Sequence, residues 1–194
     1  AEVLRKYPLA VIVGVGILAV TAGFNGLLFA MPAFLPQTMG YDAVTAILAQ
    51  NVCLVILSFG LLTVSWFSDF VSRKALVLTG TALAMLLSVP FFSAAQSHSV
   101  NLIVLFALVG VVASIYNGVT IPIAADLFPT RIRFTGVALS FNIAFTFLSG
   151  LAPLGAALLA HRTSMPANAA YIMIGCAALS FLAALVMHRY DGQI

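Results

Sequence analysis

With only 7% of its 194 residues charged and 63% hydrophobic, the chain is too apolar for a soluble domain, which typically carries about 25% charged residues. Its net charge of +3 comes from dispersed basic residues, which argues against a nucleic-acid partner. Long uncharged runs separate these residues, and about 20 apolar residues suffice for a helix to cross a bilayer. We therefore expect an all-α integral membrane protein surrounded by membrane lipid.

The apolar runs predict six transmembrane helices. They are continuous and do not alternate with a period of two residues, which argues against the strands of a membrane barrel. The long run at 75–125 holds two spans, because the polar stretch Q-S-H-S-V-N at 96–101 forms a turn between them. The loops are too short for a soluble domain, so residues 1–194 form one bundle. The predicted helices cover residues 7–34, 43–67, 75–95, 100–128, 134–160 and 167–189.

The basic residues predict the orientation of the bundle. Six spans place both termini on the same side of the membrane. Only Arg162 falls on the other side. The remaining basic residues share the side of the termini and are Arg5, Lys6, Arg73, Lys74, Arg131, Arg133 and Arg189. Under the positive-inside rule both termini are cytoplasmic, in a multi-pass protein of the inner (cytoplasmic) membrane.

Two loops on that side combine acids with basic residues: S-W-F-S-D-F-V-S-R-K-A at 65–75 and D-L-F-P-T-R-I-R-F-T-G at 126–136. Topology explains the basic residues but not the acids, which contribute little to orientation. An acid paired with an arginine can cross-link two helix ends. We therefore predict a cytoplasmic gate whose bonds hold in one state and break in another. The candidate gate residues are Asp69, Arg73, Lys74, Asp126, Arg131 and Arg133.

These loops resemble two sequence patterns of the major facilitator superfamily. One pattern is Gly, three residues, Asp, a basic residue, any residue, Gly and two basic residues; Asp69, Arg73 and Lys74 match it, and the other positions depart from it. The other pattern is E-L-F-P-T-x-x-R after the tenth helix. Asp126 stands where Glu is usual, and Arg133 matches the final Arg.

A narrower resemblance covers nearly the whole chain. The stretches F-N-G-L-L-F-A-M-P-A-F-L-P-Q-T-M-G-Y-D-A (24–43) and L-F-P-T-R-I-R-F-T-G-V-A-L-S-F-N-I-A (127–144) are similar to the metabolite:H⁺ symporter branch, whose members carry proline and betaine, citrate, shikimate or α-ketoglutarate. The resemblance implies the C-terminal half of a transporter, with two inverted three-helix repeats and a missing N-terminal six-helix half as partner. It also implies secondary active transport of a small polar metabolite or osmolyte by alternating access, with H⁺ symport.

Paired polar motifs in the leading helices of the two repeats indicate the solute pathway. F-N-G at 24–26 precedes Pro32, and Y-N-G at 116–118 precedes Pro122. Interrupted helices in corresponding positions mark binding sites in such transporters. The asparagines can hydrogen-bond a solute, and the aromatic rings can cover its apolar or cationic part. Alternatively, an intramembrane Asn bonds a neighbouring helix, worth about 0.6–2 kcal/mol. The candidate substrate-binding residues are Phe24, Asn25, Tyr116 and Asn117.

Three further polar residues, Gln50, Asn51 and Asn142, are candidates for lining the same cavity or for bridging helices. No Asp, Glu, Lys or Arg lies deep in a span, so a proton-titrating group is expected in the missing half. Cys53 and Cys176 are isolated, and we expect no metal and no cofactor.

The chain lacks a pattern typical of an enzyme, because an intramembrane protease needs a Ser–His pair or paired Asp residues within the membrane. A non-transporting six-helix scaffold or assembly subunit remains an alternative, since such a role needs only packing faces.

Overall fold

The computed structural model describes residues 5–163 and 165–187. Within these residues the all-helical prediction is confirmed: six helices are long and apolar enough to cross a membrane, and no strand forms. The end predicted for the last helix, at Arg189, lies outside the described residues. The helices are α1 (Pro8–Met39), α2 (Ala43–Phe67), α3 (Arg73–Gln96), α4 (Leu102–Asp126), α5 (Arg133–Thr163) and α6 (Pro166–Val186).

Helix α1 is longer than the sequence predicts, because it ends at Met39 and not at residue 34. It continues through Pro32 and Pro36 and stops at Gly40, whose φ of 72° lies in the left-handed region that glycine adopts most readily. Prolines are tolerated inside membrane helices when neighbouring groups satisfy the carbonyls they leave unpaired. Proline is therefore a poor marker of where a helix ends in this chain.

The next three helices each begin at a capping side chain. Asp42, Ser72 and Asn101 accept a hydrogen bond from a backbone N–H two or three positions later. Such a bond satisfies one of the N–H groups that the first turn of a helix leaves free. The cap at Ser72 starts α3 at Arg73, two residues before the predicted start, and so places this arginine in the first turn.

The helices pack in a pattern that is preserved when α1–α3 and α4–α6 are exchanged. Helix α1 packs on α5 and α6, and correspondingly α4 packs on α2 and α3. The equivalent helices α1 and α4 also contact each other, as do α3 and α6. Helices α1 and α4 run in opposite directions, because positions 21 and 24 contact positions 120 and 116. This is the arrangement expected of two inverted three-helix repeats, consistent with half of a major facilitator transporter.

The glycines of F-N-G and Y-N-G are points of close helix approach. A Cβ built on Gly26 would overlap the carbonyl oxygen of Ser149, which lies in a π-helical turn inside α5. A Cβ on Gly118 would lie 2.9 Å from Cγ1 of Val64 in α2. Each glycine thus lets the second helix of the other repeat approach, as small residues do at membrane-helix interfaces.

Helix α6 is joined to α1 through Ser180, which is fully buried. Its hydroxyl accepts a hydrogen bond from the Val20 N–H at 2.8 Å and lies 2.7 Å from the carbonyl oxygen of Gly16. In a regular α-helix these two backbone groups bond to each other. The hydroxyl therefore joins the backbone hydrogen bonding of α1 and fixes the position of α6 along it.

At the end of the bundle opposite the charged loops, Tyr41 and His98 connect α1 with the α3–α4 turn. The Tyr41 hydroxyl donates to the carbonyl oxygen of Ala95 at 2.8 Å, and its ring stacks on His98 with centroids 4.2 Å apart. Nε2 of His98 lies 3.0 Å from the carbonyl oxygen of Met39. Burial raises the pKa of Tyr41, so the phenol remains a donor up to higher pH.

We predict that Gly26→Ala destabilises the bundle, because the added methyl group meets backbone and not a movable side chain. Overpacking of this kind costs about 1–3 kcal/mol, to be measured as the free energy of unfolding in detergent mixtures. Gly175→Ala in α6 is the matched control, since a Cβ there meets nothing within 4 Å and alanine favours helix. Equal stability of the two variants would contradict the close approach of α1 and α5.

Candidate functional site

The F-N-G and Y-N-G motifs meet where α1 crosses α4. The rings of Phe24 and Tyr116 form an edge-to-face pair, with centroids 6.2 Å apart and planes at 83°. One turn away, the hydroxyl oxygens of Thr21 and Thr120 lie 3.1 Å apart. The α1–α4 seam is defined by Thr21, Phe24, Asn25, Tyr116, Asn117 and Thr120.

The register of the seam keeps Asn25 and Asn117 within roughly 3 Å of one level, because each lies one residue, a rise of 1.5 Å, beyond the Phe24–Tyr116 contact in helices that run in opposite directions. Each side-chain amide donates to a carbonyl one turn earlier in its own helix, at 2.8 Å in both cases. Both residues are half-buried. One N–H and the oxygen of each amide lie outside these bonds. The pair can therefore offer donors and acceptors to a solute.

Both aromatic rings of the seam are buried. Phe24 is 5% exposed and Tyr116 is 1% exposed. Tyr116 is accommodated by Gly80 of α3, where a Cβ would lie 3.0 Å from the Cβ of the tyrosine. An edge-to-face aromatic pair is worth about 0.5–1.5 kcal/mol beyond its burial. In this structure the rings hold α1 against α4, and their contact with a solute stays a prediction.

Gln50 and Asn51 lie far from the asparagine pair. Gly118 packs on Val64 of α2, so Gln50 is more than three helical turns from that level, roughly 20 Å at 1.5 Å per residue. Gln50 is buried, whereas Asn51 is exposed. Both belong to the half of the bundle near the Tyr41–His98 contact.

Asn142 lies on the other side of the seam. Ser149 of α5 packs on Gly26, and Asn142 precedes it by two helical turns, roughly 10 Å. Its side chain is exposed, nearer to the charged loops. The polar residues singled out in the sequence therefore occupy three levels of the bundle and do not form one cluster.

The carbonyl that Pro122 leaves unpaired in α4, next to Asn117, receives a hydrogen bond from α2. Pro122 has no N–H for the carbonyl of Gly118, four residues earlier. The hydroxyl of Ser65 donates to that carbonyl oxygen at 3.3 Å. Ser65 is also the first residue of the charged stretch 65–75, so this stretch is bonded to α4 one residue away from the predicted solute contact.

At the charged end of the bundle, Arg73 and Asp126 form an ion pair that we call the Arg73–Asp126 latch. Nη1 of Arg73 lies 3.0 Å from Oδ2 of Asp126, with side-chain exposures of 41% and 56%. The pair joins the first turn of α3 to the last residue of α4. A cation at a helix N-terminus and an anion at a C-terminus each oppose the helix dipole, and pairing them offsets that cost. Exposed pairs are worth about 0.2–1 kcal/mol, so this one is readily broken.

The other candidate gate residues make different contacts. In the part of the chain that the structure describes, Asp69, Lys74 and Arg131 form no ion pair. Nε of Arg133 donates to the carbonyl oxygen of Phe128 at 3.4 Å. The structure therefore pairs Asp126 with an arginine from the other charged loop and not with the arginines of its own.

The stretch D-L-F-P-T-R-I-R-F-T-G also has an apolar anchor. Leu127 and Phe128 are buried, and a Cβ on Gly136 would overlap the ring of Phe128. The backbone N–H of Gly136 donates to the carbonyl oxygen of Ile132 at 2.9 Å. This packing fixes the loop against the ends of α4 and α5, so its charges project from a defined turn.

Thr21 and Thr120 are parts of the site that the sequence pattern did not single out. They lie one helical turn from Asn25 and Asn117, so the helical period applied from the asparagines would have indicated both. Elsewhere among residues 5–163 and 165–187, no three His, Cys, Asp or Glu side chains are grouped so as to hold a metal ion.

Similarity to known transporters extends along almost the whole chain. It is 28% identical over 190 residues to the ectoine/proline transporter ProP of Corynebacterium glutamicum. It is 28% identical over 172 residues to the glycine betaine/proline/ectoine/pipecolic acid transporter OusA of Dickeya dadantii, and 26% identical over 190 residues to the proline/betaine transporter of Escherichia coli K12. The resemblance to the major facilitator transporters is confirmed.

These alignments cover 96%, 88% and 96% of this chain but only 38%, 34% and 37% of the relatives. The chain thus spans little more than a third of their length, which fits a C-terminal six-helix half. The three relatives are named as transporters and not as enzymes. No family model and no solved structure matches the chain.

We predict that Thr120→Val destabilises the bundle by about 0.6–1.7 kcal/mol, the range for interhelical hydrogen bonds in membranes, because it leaves the buried Thr21 hydroxyl without its partner. The double variant with Thr21→Val should cost less than the sum of the single changes, since neither group is then left unpaired. Unfolding free energies of the four proteins measure the coupling. Thr63→Val is the control, because Thr63 bonds only within its own helix; strict additivity of the seam variants would argue against the bond.

Proposed function

We propose that this chain is the C-terminal half of a secondary active transporter that moves a small zwitterionic solute by alternating access, with H⁺ symport. The observation that carries the proposal is the α1–α4 seam, where two inverted repeats bring Asn25 and Asn117 to nearly the same level. Solute sites of such transporters lie near the midplane, at the interface of repeats. Relatives named for proline, betaine and ectoine support the solute class.

The chemistry of the spans favours a solute without net charge. The segments between the charged loops contain no Asp, Glu, Lys or Arg, so a net charge on the solute would have no counter-charge within this half. The free amide N–H groups of Asn25 and Asn117 suit a carboxylate, and their oxygens suit an amine. For a quaternary amine the adjoining rings of Phe24 and Tyr116 supply a cation–π surface, provided that the transport cycle uncovers them.

The Arg73–Asp126 latch suits a gate that opens once in each cycle. The pair stabilises the bundle by only about 0.2–1 kcal/mol, which is less than the free energy that binding of a solute can supply. Breaking it separates the end of α4 from the start of α3, at the end of the bundle that carries most basic residues. Rocking of this bundle against the missing six-helix half would then alternate access to the seam.

The orientation that we propose follows from the basic residues. The latch end carries Arg73, Lys74, Arg131 and Arg133, whereas Arg162 lies at the opposite end of α5. The positive-inside rule places the latch in the cytoplasm, in an inner membrane, with both termini on that side. The proton-titrating group for symport would reside in the missing half.

The proposal is tested by uptake into vesicles that contain the complete gene product, with and without an imposed proton gradient. The panel holds proline, betaine and ectoine, with citrate, shikimate and α-ketoglutarate as anionic comparisons. We expect gradient-driven uptake of a zwitterion and none of the anions. Correctly inserted protein that transports none of them would favour a scaffold or assembly subunit.

In the same assay Asn25→Ala and Asn117→Ala should each raise KM by about tenfold, which corresponds to roughly 1.4 kcal/mol for one lost hydrogen bond to a charged group. Asn168→Ala is the matched control, since this residue lies in the 3₁₀ turn with which α6 begins and not at the seam. An unchanged KM in both seam variants would place the solute elsewhere.

For the latch, we predict that Arg73→Asp and Asp126→Arg each slow transport several-fold, because like charges then face each other. The double variant, which restores an ion pair, should recover most of the rate. Arg131→Gln controls for loss of one positive charge at the same end, since Arg131 makes no ion pair within the described chain. If the double variant transports no better than the single ones, the pair does not act as a gate.

A further inference from the structure

Behind the α1–α4 seam, a cleft of about 270 Å³ opens between α3 and α4. The asparagines of the seam are not part of its lining, whereas both aromatic rings are. The cleft therefore lies on a different side of the seam from the proposed solute contact. Its principal walls are Leu87 and Pro90 of α3 and Leu108 and Val109 of α4, with Phe24 and Tyr116 at the floor.

The lining of the cleft is unsuited to a polar solute. Besides the phenol of Tyr116, the one side-chain polar group in the lining is the hydroxyl of Ser88. That hydroxyl donates to the carbonyl oxygen of Ala84 in its own helix. A polar solute entering the cleft would give up its hydration without gaining partners, which is unfavourable. The chemistry that fits is hydrocarbon.

The mouth of the cleft lies on a face whose exposed residues are apolar apart from Ser93 of α3. Elsewhere exposed positions include polar side chains, such as Asn51 of α2 and Asn142 of α5. A face of this composition, in the middle of two membrane-spanning helices, is a face toward lipid. The exposed apolar residues of this face are Leu83, Leu86, Leu87, Val89 and Pro90 on α3 and Val104, Leu108 and Val111 on α4.

We propose that the cleft binds one acyl chain of a bilayer phospholipid, which lies between the α3 and α4 walls, above the buried rings of Phe24 and Tyr116. Within the bilayer, the acyl chains of lipids are the molecules next to the cleft. An empty apolar cleft would lack the dispersion contacts that such a chain makes with its walls. Because the floor of the cleft is the back of the α1–α4 seam, the lipid chain lies over the residues next to Asn25 and Asn117. The seam thus has a polar side for solute and an apolar side for lipid.

The test uses the complete gene product reconstituted in phosphatidylcholine vesicles that contain a photoactivatable phosphatidylcholine. One probe carries a diazirine at the middle of an acyl chain, and a second carries it beside the glycerol. After irradiation, adducts are mapped by peptide mass spectrometry. We expect the mid-chain probe, and not the glycerol-proximal one, to label Phe91, Val109 and Val112, which line the cleft and are only half-buried. Labelling confined to the exposed positions Val104 and Val111, which are not part of the lining, would overturn the proposal.

A pair of variants separates the cleft from the general lipid surface. Val109→Trp fills the cleft, and we expect it to lower labelling of Phe91 by about tenfold, the factor that corresponds to roughly 1.4 kcal/mol of binding. Val104→Trp places the same ring on the outer face of α4, where the side chain is 50% exposed, and should leave that labelling unchanged. Val112→Phe serves as a second filling variant if Val109→Trp does not fold. Equal labelling in the filling and surface variants would exclude a chain bound in the cleft.

Discussion

A backbone N–H or carbonyl inside a bilayer has no water to bond with. Several polar side chains of this bundle therefore lie where they can hydrogen-bond such backbone groups. Ser65 bonds the Gly118 carbonyl that Pro122 leaves free, and Ser180 bonds to the backbone of α1. The amides of Asn25 and Asn117 each donate one hydrogen bond to a carbonyl of their own helix. These polar side chains thus bond to backbone groups. The two asparagines differ from the serines because each amide still has one N–H and its oxygen available for another partner.

Two kinds of contact, one buried and one exposed, hold the helices of the bundle together. The α1–α4 seam is buried and combines an aromatic pair, a hydroxyl pair and close packing at glycines. The Arg73–Asp126 latch is solvent-exposed and weak. The transport cycle that we propose moves the bundle as one body, which requires a firm centre and breakable contacts at its ends. The lipid cleft that we propose belongs to the firm centre, because it abuts the same two rings.

The repeat symmetry explains why only some of the candidate solute-binding residues lie close together in the bundle. The same spacing separates Phe24 from Tyr116, Asn25 from Asn117 and Gln50 from Asn142. Because the repeats are inverted, only the pair near the centre meets at one level, and pairs near the ends move apart to opposite sides. Gln50 and Asn142 are therefore polar, intramembrane and related by the repeat, yet too distant from each other to contact one solute.

Composition and the spacing of charges determined the membrane class, the six spans and their order, because a span needs about 20 apolar residues and charges stay outside it. The local motifs also indicated which helices carry the central asparagines. Only the tertiary structure decided that Asp126 bonds Arg73, since the two are 53 positions apart and the arginines of its own loop are nearer in sequence. It also decided that Phe24 and Tyr116 are buried while their neighbouring asparagines are half-exposed. Such choices depend on which faces of two antiparallel helices meet, and that is set by packing over the whole bundle and not by any segment of sequence.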